Sequence, residues 1–331
     1  MASIREKVVP IKKIDSHLHV WASPEENHAS DGSSLREEND ESWSDILGGV
    51  FIAWMLNAKE YPYFPGQETT LIGSSDDLLK SMEEAGVDGA LIVQPINYMF
   101  DHSYVTSVLQ KHPDKFLGCF LADPSDGGNG IAKLEHLVTK EGYKAMRFNP
   151  YLWPPNEKMN NEIGRKLFAK AGELGIAVGF MCFKGLLLHV EEIEDLCSQS
   201  PSTIVLIDHF GFCKPPLNEV EDKSLTRLLQ LARLPQVYVK VSAFFRVSRD
   251  EFPYRDTWPV LKRLLSSFGA KRLMWGSDYP FIKNECGYVN AAEILPLAKS
   301  EEALLTDDEL RWIMGETAQS VFGGAWSKSS S

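Results

Sequence analysis

His17 and His19 stand two residues apart in the short apolar run KKIDSHLHV. On a β-strand that spacing sends both imidazoles to one side. Two imidazoles facing the same way can hold one divalent cation, or can donate hydrogen bonds to one developing oxyanion. Asp15 is expected on that face one layer deeper. Asp278 lies in WGSDYP, after an apolar run and before a proline. A carboxylate there suits a metal ligand or a general base that takes a proton from water, and also an ordinary turn residue. His209 follows the buried-looking run TIVLID. Arg147, in AMRFNP, interrupts a run otherwise suited to a core strand. A buried guanidinium needs an anion, either a structural acid such as Asp123 or a substrate carboxylate gripped by two N–H groups. Asn149, Tyr151 and Trp153 just beyond it are candidates for substrate binding, and Tyr61, Tyr63, Phe244 and Tyr279 for lining the same pocket. The other histidines, 28, 102, 112, 136 and 189, fall in helical or polar stretches and read as surface residues.

These residues belong to a rhythm of eight β-like runs, with a helical stretch between successive pairs. The runs are KKIDSHLHV, GALIVQP, FLGCFLADP, YKAMRFNP, IAVGFMCF, TIVLIDHFG, VYVKVSAF and RLMWGSDYP. Strands alternating with helices imply parallel βαβ units, and eight units imply a closed (β/α)8 TIM barrel of the α/β class. A chain of 331 residues can form such a barrel as a single domain over 1–331. Barrel sites form at the C-terminal ends of the strands. Strand one ends in His17 and His19, strand four in Arg147 and Asn149, and strand five in Met181, Cys182 and Phe183. Strand six ends in Asp208 and His209, strand seven in Ser242 and strand eight in Asp278. Residues 21–73 form a long insertion after strand one, expected as a lid or small subdomain with a mobile acidic first half. The proline-rich NPYLWPPNEKM after strand four is expected over the mouth. Thr306 can cap a helix running through TDDELRWIMGETAQSVF, with Glu309 three positions on.

Apolar residues make up 44% of the chain and charged residues 24%, the balance of a globular protein rather than a disordered one. A net charge of −12 argues against nucleic acid or an anionic membrane as partner, and leaves a small molecule. Five cysteines without paired spacing read as core thiols in a reducing compartment. There is no secretory leader after MASIREKVVP, no apolar run long enough to span a membrane and no SKL ending, so the cytoplasm is the expectation. Aromatic residues such as Trp54 allow a homo-oligomer.

IDSHLHV, KAMRFNP, IVLIDHFG and RLMWGSDYP, in that order from about residue 12 to 280, resemble the amidohydrolase superfamily. More narrowly, they resemble its amidohydrolase-related branch, with 2-pyrone-4,6-dicarboxylate lactonases and aminocarboxymuconate-semialdehyde-type decarboxylases. The resemblance implies a (β/α)8 barrel with hydrolase, decarboxylase or hydratase chemistry on a small, often carboxylated substrate. In metal-dependent members the strand-one pair, a strand-five histidine and the strand-eight aspartate hold the ion. That pattern implies His17, His19 and Asp278 as ligands and His209 as a proton-transfer residue. This chain lacks the strand-five histidine. Cys182 or Met181 stands near its place, Cys182 being acceptable to Zn²⁺, and His189 comes about two helical turns later. The gap resembles the lactonase branch, which works without a metal. The expectation is therefore a hydrolase of a lactone, ester or amide, with Asp278 as general base. His17, His19 and His209 would stabilise the oxyanion, and Arg147 would anchor an anionic group. No cofactor is favoured. A decarboxylase using Zn²⁺ or Mn²⁺ at the same residues, and a non-catalytic ligand-binding barrel, are the alternatives.

Overall fold

The computed structural model describes residues 11–26, 60–125 and 130–326. Eight parallel strands follow one another in chain order around a single sheet. They are β1 (Ile14–Leu18), β2 (Gly89–Val93), β3 (Phe116–Leu121), β4 (Ala145–Phe148), β5 (Ala177–Phe180), β6 (Val205–Ile207), β7 (Val237–Ser242) and β8 (Leu273–Gly276). The seam between β8 and β1 is bridged at the C-terminal end of the barrel. Asp278 N–H donates to His17 O (2.8 Å) and His19 N–H to Tyr279 O (2.7 Å). The expected barrel is therefore found, nearly closed, with its seam running through the residues singled out for chemistry.

Alternation along the strands separates two apolar layers. Leu91, Val93, Leu117, Cys119, Leu206 and Met274 fill the barrel interior. The opposite faces of the strands pack under the helices. Phe322 and Trp326, from the C-terminal stretch, join the interior cluster, and the indole N–H of Trp326 donates to Lys115 O (3.0 Å). A Cβ on Gly89 would collide with that indole, so the start of β2 must be glycine for the plug to seat.

The helices between the strands are α1 (Ser75–Ala85), α2 (Ser103–Lys111), α3 (Gly130–Thr139), α4 (Glu162–Glu173), α5 (Val190–Gln199) and α6 (Glu219–Gln230). After β7 come the one-turn α7 (Phe244–Val247) and then α8 (Trp258–Phe268). Side-chain caps set several of these boundaries. Ser74, Asn161 and Asn218 each accept from a backbone N–H in the first turn of α1, α4 and α6. The Asn218 cap, with Glu219, Glu221 and Asp222 behind it, starts α6. After β8 come α9 (Tyr288–Glu302) and α10 (Asp307–Arg311), which runs through a π turn at Trp312–Glu316 into α11 (Thr317–Val321). Thr306 and Glu309 form the expected reciprocal capping box on α10. Helix α9 did not stand out in the sequence. It carries Pro296 internally and sets the apolar Val289 and Leu297 outside its buried face, so no single apolar stripe marks it.

Most of the 21–73 insertion falls on 27–59, outside the described residues, and so do His28 and Trp54. Four cysteines are buried and Cys286 is half-buried, all as free thiols. No helix among the described residues is long and apolar enough to cross a membrane. The reading of the remaining histidines as surface residues holds only for His136. His102 is buried, with Nε2 accepting from Leu121 N–H (3.1 Å), and His112 and His189 are half-buried. Each lies beside a helix end that packs back onto the barrel, which local polarity could not reveal.

Candidate active site

The ends of β1, β6, β7 and β8 converge. The β1–β2 register shifts between Asp15 and Leu18; His17 lies within the shift and His19 just beyond it, both buried. Their ring centroids lie 5.2 Å apart, and the His209 ring lies 4.3 Å from that of His17. Asp278 Oδ1 sits 3.5 Å from His19 Nε2 and 3.8 Å from His209 Nε2. His209 and Asp278 both adopt left-handed backbone conformations (φ 50° and 64°), as does Ala243 after β7 (φ 50°). Such residues are costly without glycine and persist where the surroundings over-determine them.

Asp15 does not face the mouth with the histidines. Its Oδ1 accepts from the backbone N–H groups of His17 (3.1 Å) and Ser277 (3.0 Å), and its Oδ2 from the Tyr288 hydroxyl (3.0 Å). It ties the seam together from below. Burial pushes its carboxyl up to about 6 against those hydrogen bonds.

The second atom of each site side chain fixes what the first can do. His19 Nδ1 is 2.7 Å from Val93 O, and a carbonyl only accepts, so the hydrogen is on Nδ1. Burial drives the His19 imidazole below its ordinary value. Neutral His19 therefore presents a lone pair at Nε2, which changes the expectation that it donates to an oxyanion. His209 Nδ1 meets the Ser242 hydroxyl at 2.8 Å, and burial lowers its imidazole to about 4 despite the nearby carboxylates. Asp278 Oδ2 is held by Arg246 Nε at 2.5 Å. Burial alone would raise the Asp278 carboxyl. His209, His19 and Arg246 together hold it well below the usual carboxylate range. Asp278 is thus an ionised carboxylate with one oxygen anchored and the other, Oδ1, buried without a hydrogen-bond partner among the described residues. His17 Nε2 and His209 Nε2 are left in the same condition.

Behind His17 lies a charged pair. The register that sets Ile207 beside Val239 brings Asp208 beside Lys240, both buried. Lys240 Nζ, Asp208 Oδ1 and His17 Nδ1 lie 3.2 Å from one another. Burial by itself would raise the Asp208 carboxyl, yet Lys240 and His17 hold it well below the usual range. Lys240 was missed in the sequence. The signal was present: in VYVKVS, Val237, Val239 and Val241 pack outward, so Lys240 and Ser242 must face in. Arg246 was also missed, because it lies in α7 rather than on a strand.

Arg147 is buried, and Nη2 donates to Gln94 O (3.1 Å). Its Nε and Nη1 have no partner among the described residues. Asp123, the structural acid considered above, instead accepts from Ser125. Asn149, Tyr151 and Trp153 pack and hydrogen-bond among the ends of β4 and β5 and the loops that follow them. Asn149 Oδ1 caps Tyr151 N–H (3.2 Å), Tyr151 stacks on Phe183 (4.3 Å) and Trp153 is buried on Phe148 (4.8 Å). Of the other lining candidates, Tyr61 packs edge-on against Tyr104 and Tyr63 packs against Tyr98, Phe244 packs on Phe210, and Tyr279 donates to Asp77 (2.5 Å).

One ligand atom each from His17, His19 and Asp278 lies within 4.8 Å of the others, so this donor set fits a divalent cation by type and spacing. The orphaned His17 Nε2 and Asp278 Oδ1 are the atoms that would turn to it. Cys182 is buried but is not part of that group.

A family model described as amidohydrolase matches residues 14–324. The chain is 27% identical to 4-sulfomuconolactone hydrolase of Hydrogenophaga intermedia over 230 residues, 67% of this chain and 70% of that one. An Acinetobacter baumannii protein provisionally described as a 2-pyrone-4,6-dicarboxylic acid hydrolase, with citric acid bound, superposes with a TM-score of 0.66. It is 18% identical, over 94% of this chain and 99% of that one. A 2,6-dihydroxybenzoate decarboxylase from Rhizobium superposes with a TM-score of 0.61, at 12% identity over 94% and 98% of the two chains. At these identities the two structures establish the shared barrel alone.

Proposed function

The chain belongs to the amidohydrolase family, and from that premise we propose that it is a lactonase, opening the ring of a small anionic lactone by direct attack of water. The observation that carries this reading is the state of Asp278: ionised, anchored through Oδ2 by Arg246, and offering an unpartnered Oδ1 to a cluster of three histidines. The relative that hydrolyses 4-sulfomuconolactone supports the reaction class. A water donating one hydrogen to Asp278 Oδ1 and the other to the His19 Nε2 lone pair points its own lone pair at the substrate. As it attacks the lactone carbonyl, its proton passes to Asp278. The carbonyl oxygen becomes an oxyanion, which N–H donors at His17 Nε2 and His209 Nε2 stabilise. The tetrahedral centre collapses, the ring C–O bond breaks, and Asp278 returns the proton to the leaving alkoxide. The products are a hydroxy acid that ionises and one released proton. Arg147, with two unpartnered N–H groups, would bind an anionic group on the substrate.

A bound Zn²⁺ or Mn²⁺ would be held by His17, His19 and Asp278 and would polarise a substrate oxygen. That donor set keeps a metal-dependent decarboxylase as the second reading.

The test is a panel of anionic and neutral lactones, with aromatic carboxylates alongside, followed by proton and CO₂ release. One proton per turnover from an anionic lactone, lost about 10²–10⁴-fold in Asp278→Asn with an unchanged circular dichroism spectrum, is the expected result. CO₂ release would establish the second reading. Saturable binding without turnover would establish a ligand-binding barrel.

A further inference from the structure

The three-way contact behind His17 bears on the cation question. His17 Nδ1 faces a donor-only group, the Lys240 ammonium, and an acceptor-only group, the Asp208 carboxylate, each at 3.2 Å. Neutral imidazole carries one hydrogen, so it can serve one of them and not both. If Nδ1–H donates to Asp208, Nε2 is a lone pair and His17 can ligate a metal. If Nδ1 accepts from Lys240, Nε2 carries the hydrogen, and His17 is a donor that cannot ligate.

Two features favour Lys240. Asp208 Oδ1 already accepts from the ammonium at 3.2 Å, so it keeps a charged donor when His17 does not donate. The alternative would press an imidazole N–H against a buried ammonium at 3.2 Å, two positive poles with nothing between them. The ammonium also places a full charge directly behind the ring whose far nitrogen would bind a dication. We propose that Lys240 is a positioning residue that fixes the His17 ring with its Nε2–H toward the site, and that it thereby opposes divalent-cation binding at His17, His19 and Asp278. This deepens the lactonase reading and rests on it for its catalytic meaning, since it supplies the N–H that the oxyanion needs. The proton position and the metal affinity are nonetheless measured without substrate. A pair that merely braced the barrel would leave the ring hydrogen with Asp208 and the metal affinity untouched when Lys240 is removed.

The experiment has two arms. Long-range ¹⁵N–¹H correlation spectra of the metal-free wild-type protein, with the His17 ring identified by its loss in His17→Gln, report which ring nitrogen is protonated. Zn²⁺ is then titrated into wild type, Lys240→Met and the charge-balanced double variant Lys240→Met/Asp208→Asn, in competition with a chromophoric chelator. The expected result is Nε2–H in the wild type and a Zn²⁺ affinity raised about tenfold or more in either variant. Nδ1–H in the wild type would overturn the proposal, as would a variant whose Zn²⁺ affinity is unchanged or weaker. Should Lys240→Met fail to fold with Asp208 left unpaired, the double variant decides the second arm, since the amide oxygen that replaces the carboxylate still accepts from His17 Nδ1–H. The wild-type spectrum decides the first in any case. If the proton and affinity results come out as expected while no lactone is turned over, the lactonase reading fails and this one stands.

Discussion

Asp278 and Arg246 make one functional unit. A carboxylate this close to a guanidinium stays ionised far into acid, and its anchored oxygen fixes the direction of the free one. The same contact weakens it as a base, because a cation that stabilises the anion lowers its appetite for a proton. Arg246 also stacks on Phe245 and Phe281, 5.0 and 4.9 Å from the ring centres, so its guanidinium is held rather than free to swing. Arg246→Met should therefore let the Asp278 carboxyl rise toward its ordinary value. The sign follows: Asp278 acts as base only when ionised, so activity falls as pH falls through its pKa, and a higher pKa brings that fall to higher pH. The pH–rate profile of turnover should show its acid limb displaced upward in the variant. A limb at the same pH in both proteins would mean that Arg246 does not govern Asp278.

At the scale of elements, the barrel seam is where structure and chemistry coincide. Strands β1 and β8 approach so closely that a Cβ on Gly276 would lie 2.9 Å from His17 N and 3.0 Å from His17 Cβ. Glycine there is a requirement of spacing. Asp15 ties the same seam through Ser277 N–H and Tyr288, and the Asp77–Tyr279–Lys283 contacts tie the β8 loop to α1. Gly276→Ala should force β1 and β8 apart by a few tenths of an ångström and cost about 1–3 kcal/mol of stability, as overpacking does. Because the displaced backbone carries His17, kcat should drop well beyond what that loss of stability explains. Urea melts and single-turnover rates on the same preparation would separate the two. A variant with wild-type rates would show that the seam tolerates the methyl group without moving the site.

For the whole molecule, the buried titratable groups set how it meets acid. Burial lowers His209 to about 4 and His102 to about 3, and His17 and His19 are lowered as well. Between pH 6.5 and about 4 the unfolded chain binds protons at these histidines that the native protein refuses. Stability must then fall as pH falls through that window, by about 1.4 kcal/mol per pH unit for each histidine that stays neutral. Asp15 works in the opposite direction, since its native carboxyl, near 6, takes up its proton before the unfolded one at 3.8. The histidines outnumber it. The denaturation midpoint should drop steadily from pH 7 to pH 4.5, well before ordinary carboxylates titrate. A midpoint that stayed level would mean that the site histidines accept protons in place.

What the sequence determined by itself was the barrel and the ends of its strands. Period-two alternation put His17 and His19 on one side, and the order of motifs brought His209 and Asp278 to the same mouth. The capping box at Thr306 was legible because it is local. Helix α9 was not, since an internal proline and the apolar Val289 and Leu297 outside its buried face blur the periodic stripe. The protonation chemistry was decided only by tertiary structure. Val93 fixes the His19 hydrogen, Arg246 fixes Asp278, and His17 meets Asp208 and Lys240 at separations of 191 and 223 residues along the chain. The physical reason is that a strand's own residues dictate which face a side chain takes. Whether that side chain then donates, accepts or carries charge depends on the group facing it across the barrel, and strand register and seam closure choose that group.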